Sequence, residues 1–132
     1  MVLYVEHTHE AESAMTHLTQ QTCVPCRGGV PPLTAGELAL LLPEVPDWKL
    51  TEQDGVQRIQ RDFRFKDFRG AMEFAVRVAE LAEREQHHPE LHVGWGHVNV
   101  ELWTHKIRGL HQNDFIMAAK IDEIPAASST RA

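Results

Sequence analysis

The first hydrophobic pattern along the chain is a pair of segments in which apolar and polar residues alternate. Segments 48–52 and 56–65 flank Asp54-Gly55, a dipeptide typical of a two-residue turn between antiparallel strands. In the second segment the apolar and polar positions have opposite parity, so they lie on opposite faces of a strand. The apolar positions are Ile59, Phe63 and Phe65, and the polar ones are Arg58, Gln60, Asp62 and Arg64. This pattern predicts a hairpin with one buried face.

A second pair of alternating segments, 91–95 and 98–104, is joined around Gly94 and Gly96 and predicts a second hairpin. The alternate positions are Val98, Val100 and Leu102 on one side and Asn99, Glu101, Trp103 and His105 on the other. If the apolar set faces the core, His105 lies on the open face of the sheet or at its end, where a ligand could reach it.

Three helices are predicted around these hairpins. Thr34 and Glu37 have the spacing of a capping box and begin a short helix that ends at about residue 42. Asp67 can cap a long helix that runs to about residue 86, and Asn113 can cap a last helix that runs to residue 124.

The apolar residues of the long helix cover more than half of its circumference. One stripe consists of Phe68, Met72, Ala75, Val76, Ala79 and Ala82, and Ala71, Phe74, Val78 and Leu81 extend it. A helix packed on one sheet needs a narrower apolar face. The excess predicts a second packing partner, either another helix of this chain or another subunit.

The order of elements is helix, two strands, helix, two strands, helix. Short turns within each strand pair imply an α+β fold, a four-stranded antiparallel sheet with helices packed on one face. The segment 1–32 is polar and rich in Gly and Pro near its end, which predicts an N-terminal arm or linker. The domain then spans 33–124, and 125–132 is a C-terminal tail.

Composition and charge narrow the class of protein. The chain has 132 residues and a net charge of −6, which argues against a nucleic-acid-binding surface. Its longest dense apolar run, 38–42, is far shorter than a membrane span, and the charged and histidine residues within 1–19 are unlike a signal peptide. We therefore expect a cytoplasmic protein without membrane or nucleic-acid partners.

The two cysteines, Cys23 and Cys26, form a Cys-x-x-Cys pair in the arm. Two thiols are half of a zinc site, which His7, His9 or His17 or a second chain could complete. A thioredoxin-type redox role would need a helix after the pair, and the Gly and Pro residues that follow break one. The third interpretation is a reduced or opportunistically oxidised pair of thiols with no functional role.

Candidate chemistry lies in the histidines. His87 and His88 come where the long helix ends, with Glu83 one turn before His87 and able to hold its ring by a hydrogen bond, and His105 follows the last strand. Imidazoles titrate near neutral pH, so a cluster of them suits general acid–base catalysis. Adjacent histidines point in different directions and no His-Glu-x-x-His pair is present, so we predict no metal.

These residues form a spaced pattern that resembles the signature of the pterin-4a-carbinolamine dehydratase family. Its fixed positions are Glu83, His87-His88-Pro89, Trp95, His105 and Asp114, accompanied by Thr104-His105-Lys106, Gly109-Leu110 and the run from Asp114 to Ala119. The likeness covers 33–124. It implies an α+β subunit whose four-stranded sheet joins that of a second subunit, so that the protein is a homodimer or homotetramer.

The resemblance also implies an activity: loss of water from a 4a-hydroxytetrahydropterin to give the quinonoid dihydropterin, in the recycling that follows aromatic amino-acid hydroxylation. The catalytic positions would be His87, His88 and His105. His88 would be the general acid for the 4a-hydroxyl group, and the other two would assist proton removal and binding.

Four further positions are implied to bind the substrate or shape its pocket: Glu83, Pro89, Trp95 and Asp114. No cofactor is expected, since the substrate is itself a pterin, and a hydroxylase pathway would be the partner. Relatives of this fold also act as assembly or coactivator modules without catalysis, resembling transcription coactivators or Rubisco assembly factors. The arm and its cysteines are not part of the catalytic signature.

Overall fold

A computed structural model describes residues 17–25 and 28–125. The helices are α1 (Ala35–Leu41), α2 (Phe68–Glu85) and α3 (Gln112–Asp122), and the strands are β1 (Lys49–Gln53), β2 (Val56–Arg64), β3 (Glu90–Gly94) and β4 (His97–Leu102). Short 3-10 helices lie at Leu18–Gln20, Leu42–Glu44 and His105–Ile107. The predicted α+β fold and order of elements are confirmed, with boundaries shifted by a few residues.

The four strands form one antiparallel sheet in the order β1-β2-β4-β3. Ile59 and Phe63 of β2 pair with Leu102 and Val98 of β4, so the apolar positions of both strands lie on the same face. The first hairpin turns at Asp54-Gly55, where both residues have positive φ angles, the conformation that this turn requires.

The core lies between that face of the sheet and the helices. The buried positions of α2 are Gly70, Ala71, Phe74, Ala75, Val78, Leu81 and Ala82. Phe68, Met72 and Val76 belong to the predicted stripe but are exposed. The sheet and α3 therefore use only part of the apolar circumference of α2, and the excess face has no partner among the residues that the structure describes.

The N-terminal end of α3 differs from the sequence prediction. His111, not Asn113, is the N-cap residue: its Nδ1 accepts a hydrogen bond from the Asn113 backbone N–H, and Asp114 Oδ2 accepts one from the His111 N–H. The cap prediction failed because an imidazole seldom takes the role that Asn, Asp, Ser and Thr usually fill. The side chain of Asn113 is thereby left for another contact.

Part of the segment predicted as an arm packs on the domain. Leu18 is 3% exposed and belongs to the same core cluster as the sheet residues. The 3-10 helix that contains it contacts α3, and Gln112 Nε2 donates a hydrogen bond to Gln21 Oε1 over 2.9 Å. Residues 17–25 thus share the core of the domain.

No helix within the described ranges is both long enough and apolar enough to span a bilayer.

Candidate active site

Three segments that are distant in sequence line a pocket of about 670 Å³. They are the end of α2 with the three residues after it, the residues after β4, and Cys23, Val24 and Pro25 of the N-terminal segment. All three predicted histidines, His87, His88 and His105, are among the lining residues. The volume lies within the range typical of small-molecule sites.

His87 and His88 reach this pocket because α2 ends in a sharp turn. Gln86, the C-cap residue, has a left-handed backbone with φ of 57°. The turn separates the two histidines that follow, and His87 is largely buried whereas His88 is exposed. Their side chains consequently have different partners.

His87 is held by a buried carboxylate. Its Nε2 lies 2.6 Å from Oδ1 of Asp114, whose other oxygen accepts hydrogen bonds from Thr104 Oγ1 and the His111 N–H. A carboxylate with three such partners can only accept, so His87 Nε2 carries the proton. In the neutral ring Nδ1 is then the basic nitrogen.

His88 is paired with Glu83, over 2.6 Å between Nε2 and Oε2. The sequence prediction had placed Glu83 against His87, and this was wrong because the turn at Gln86 directs His87 to Asp114 instead. Both members of the pair are exposed, so the contact adds little to stability. It does restrict the orientation of the His88 ring.

His105 lies just beyond β4 and begins the 3-10 helix. Its ring stacks on Trp103, with centroids 4.4 Å apart and an interplanar angle of 21°. The guanidinium of Arg58 lies over the same indole at 3.9 Å from the ring centroid. Trp103 also lines the pocket, and the alternation of β4 had placed it on the same side as His105.

The other predicted site residues lie at different distances from the pocket. Glu83 and Asp114 are hydrogen-bonded to His88 and His87. Pro89 follows the two histidines in the chain, and none of these three residues lines the pocket. Trp95 lies at the turn between β3 and β4, is 73% exposed and does not line the pocket.

Cys23, Val24 and Pro25 form the N-terminal wall of the pocket, and Cys23 is the least exposed of the three. Its thiol donates a hydrogen bond to the Asn113 carbonyl over 3.6 Å. Burial, followed by the charge and hydrogen bond of Glu85, raises the pKa of Cys23 to about 12, so the thiol is protonated at neutral pH. Of the other residues of the zinc hypothesis, Cys26, His7 and His9 lie outside the described residues, and His17 is exposed. The described ranges hold no group of three or more His, Cys, Asp or Glu side chains placed for a metal ion.

Comparison with known proteins assigns this chain to a family. The profile of the family described as pterin 4 alpha carbinolamine dehydratase matches residues 31–124. The chain belongs to the pterin-4a-carbinolamine dehydratase family. This confirms the resemblance drawn from the spaced histidines.

Relatives within the family are similar over most of their length. A protein of Methylococcus capsulatus is 54% identical over 109 residues, which cover 83% of this chain and 94% of that one. A protein of Chlorobium luteolum is 53% identical over 110 residues, which cover 83% and 96%. Both are named provisionally as pterin-4-alpha-carbinolamine dehydratases.

A solved structure of the family also matches. The transcriptional coactivator/pterin dehydratase from Brucella melitensis has a TM-score of 0.62 and is 36% identical, covering 69% of this chain and 95% of its own. The name of that protein combines catalysis and coactivation, so membership in the pterin-4a-carbinolamine dehydratase family leaves both as candidate functions.

Proposed function

We propose that this protein dehydrates a 4a-hydroxytetrahydropterin to the quinonoid dihydropterin and water, as a hydro-lyase that uses histidines as general acid and base. One observation carries the proposal: three histidines from two distant segments line a single pocket, and two of them are hydrogen-bonded to carboxylates. Membership in the family supports it.

The reaction needs one proton delivered to the departing 4a-oxygen and one removed from a ring nitrogen, with no electron transfer. His88 is the proposed acid, because the carboxylate of Glu83 orients its ring at the exposed side of the pocket. His87 is the proposed base, since Asp114 holds the proton on Nε2 and leaves Nδ1 to accept another.

His105 is the proposed binding and assisting residue. Its stacking on Trp103 restricts the imidazole to one plane at the edge of the pocket. General acid–base groups of this kind typically accelerate a reaction about 10²–10⁴-fold. Proton transfer between imidazoles and substrate completes the proposed reaction without a cofactor, and cytoplasmic pterin recycling beside an aromatic amino-acid hydroxylase is its proposed setting.

The test is stopped-flow dehydration of a freshly generated 4a-hydroxytetrahydropterin by wild type, His88→Ala and His92→Ala. His92 is a matched control, because it is an exposed histidine on β3 that does not line the pocket. We expect His88→Ala to lower turnover at least about tenfold and His92→Ala to leave it unchanged.

Equal turnover in the two variants would remove His88 from the mechanism. A folded wild type that gives no acceleration would contradict the dehydratase proposal itself.

A coactivator-like or assembly function is the second candidate, favoured by the name of the Brucella melitensis protein and by the exposed apolar residues of α2. Recovery of a stoichiometric protein partner from cells, together with absent dehydratase activity, would support this candidate over the first.

A further inference from the structure

The N-terminal wall of the pocket is fixed in place by hydrogen bonds to the domain. Asn113, which is 2% exposed, accepts a hydrogen bond from the Val24 N–H over 3.0 Å and donates one to the Val24 carbonyl over 2.7 Å. The Cys23 N–H donates to Glu85 Oε1 over 2.9 Å. Three backbone groups of the wall are therefore tied to buried or largely buried side chains.

The anchors of this wall adjoin the catalytic groups in the chain. Asn113 precedes Asp114, the partner of His87, and Glu85 lies two residues before His87. Lys120 Nζ lies 2.6 Å from Glu85 Oε2, which joins α3 to the same network. A shift of the wall relative to the histidines would thus break hydrogen bonds to buried or largely buried groups, which is costly.

Side chains of the wall are nevertheless left uncovered where they meet the pocket. Val24 is 54% exposed, and Pro25 is exposed as well. The backbone is ordered by hydrogen bonds while the apolar side chain of Val24 has no place in the core, the arrangement expected of a residue that contacts a ligand. An apolar surface held in advance binds a flat ring without a further ordering cost.

From this geometry we propose that Val24 and Pro25 are substrate-binding residues, an apolar wall that contacts the bicyclic ring of the pterin and contributes to affinity but not to proton transfer. The inference rests on the proposed dehydratase function and adds a part of the binding site that lies before the matched family profile, which begins at residue 31.

The matches to relatives extend over this wall. The match to the Chlorobium luteolum protein covers 110 of the 132 residues, so it must begin at or before Cys23 and include the wall. The neutral thiol of Cys23, turned to the Asn113 carbonyl, is consistent with a wall that binds without taking part in the chemistry.

Substitution of one exposed valine tests the proposal, with a second exposed valine as control. Val24→Ser removes the apolar contact, and Val30→Ser makes the same change at a residue that is 40% exposed but does not line the pocket. Two readouts are compared: KM and kcat for dehydration, and Kd for 7,8-dihydrobiopterin, which has no 4a-hydroxyl group to lose, by fluorescence titration.

We expect Val24→Ser to raise both KM and Kd roughly fivefold, with kcat within about twofold of wild type and Tm unchanged. Val24→Ile, which keeps the apolar contact, should stay close to wild type, and so should Val30→Ser.

Equal KM and Kd in the Val24→Ser and Val30→Ser proteins, with an active wild type, would overturn the proposed binding role of the wall and leave the proposed function standing. So would a fall in kcat at unchanged KM and Kd, because the segment would then act in proton transfer. If folded wild type neither binds the dihydropterin nor catalyses dehydration, both the proposed binding role of the wall and the proposed function would be contradicted.

Discussion

Asp114 connects the stability of the domain to the orientation of a catalytic candidate. It is fully buried and accepts hydrogen bonds from His87, Thr104 and the His111 N–H. A buried carboxylate is tolerated in a core when it is hydrogen-bonded, as Asp114 is by these three donors. The same carboxylate that helps to cap α3 therefore also selects the tautomer of His87.

Asp114→Asn should reduce both the stability of the domain and the activity that depends on the orientation of His87. An amide presents a donor where the carboxylate only accepts, so one of the three partners is left facing another donor. We expect the free energy of unfolding to fall by about 3 kcal/mol and dehydration to fall with it, measured by urea denaturation and stopped-flow at a temperature where the variant is folded.

Asp47→Asn is the control, because Asp47 is exposed and its pairing with Arg61 at 3.6 Å is weak. An Asp114→Asn protein as stable as this control would show that the carboxylate does not act as a threefold acceptor.

At this scale the sequence predicted which histidines gather but not their partners. The spacing of Glu83 favoured His87, and only the left-handed backbone at Gln86 reassigns it to His88. A non-glycine residue in that conformation is uncommon, and nothing in the local sequence indicated it. Trp95 belongs to the family signature but does not line the pocket, because it lies at a hairpin turn whose conformation leaves its side chain exposed.

Among the elements, the carboxylate of Glu85 on α2 joins both the N-terminal segment and α3, through the Cys23 N–H and Lys120. Burial would raise the pKa of Glu85, but hydrogen bonds from the Cys23 N–H and Lys120, with the charge of Lys120, bring its pKa below the ordinary value of 4.5. Since the pKa is lower in the folded chain, ionised Glu85 stabilises the fold above pH 4.5, and this contribution is lost as the pH falls through the folded value.

Glu85→Gln is therefore expected to lower the free energy of unfolding by about 1–3 kcal/mol at about pH 7, and the difference from wild type should shrink at about pH 3.5. Urea denaturation at the two pH values measures it. Glu80→Gln, an exposed position on the same helix, is the matched control and should show a small difference at both. A pH-independent difference for Glu85→Gln would contradict the charge-based account.

Elements built from local patterns were the predictable part of the fold. Alternation in β2 and β4 and the Asp54-Gly55 turn predicted the hairpins, because strand faces and turn conformations follow from nearby residues. The docking of residues 17–25 was not predictable in this way. Val24 and Asn113 are 89 positions apart, and a hydrogen bond between a backbone group and a distant amide leaves no periodic signal.

On the scale of the whole molecule, the unused face of α2 bears on assembly. Phe68, Met72 and Val76 are spaced four residues apart and are each exposed, so they form one apolar strip. Contiguous exposed apolar surface is often covered by another protein. A second copy of this chain is the proposed occupant, in accord with the homo-oligomer that the family resemblance implies.

Val76→Glu should consequently reduce the oligomeric state, since it places a charge within that strip. Light scattering coupled to size-exclusion chromatography would report the mass. Leu40→Glu is the control, because Leu40 is similarly exposed but lies on α1. Identical masses for the wild type, Val76→Glu and Leu40→Glu proteins would exclude this face from the subunit contact.

The two hydrogen bonds between Val24 and the side chain of Asn113 also affect when the pocket can form during synthesis. The chain supplies its N-terminal wall first and the anchor of that wall, Asn113, 89 positions later. A nascent chain whose sheet has left the ribosome while α3 is still inside it would contain all three histidines but no anchored wall, and hence no completed pocket. Formation of the complete pocket should thus wait until α3 has left the ribosome.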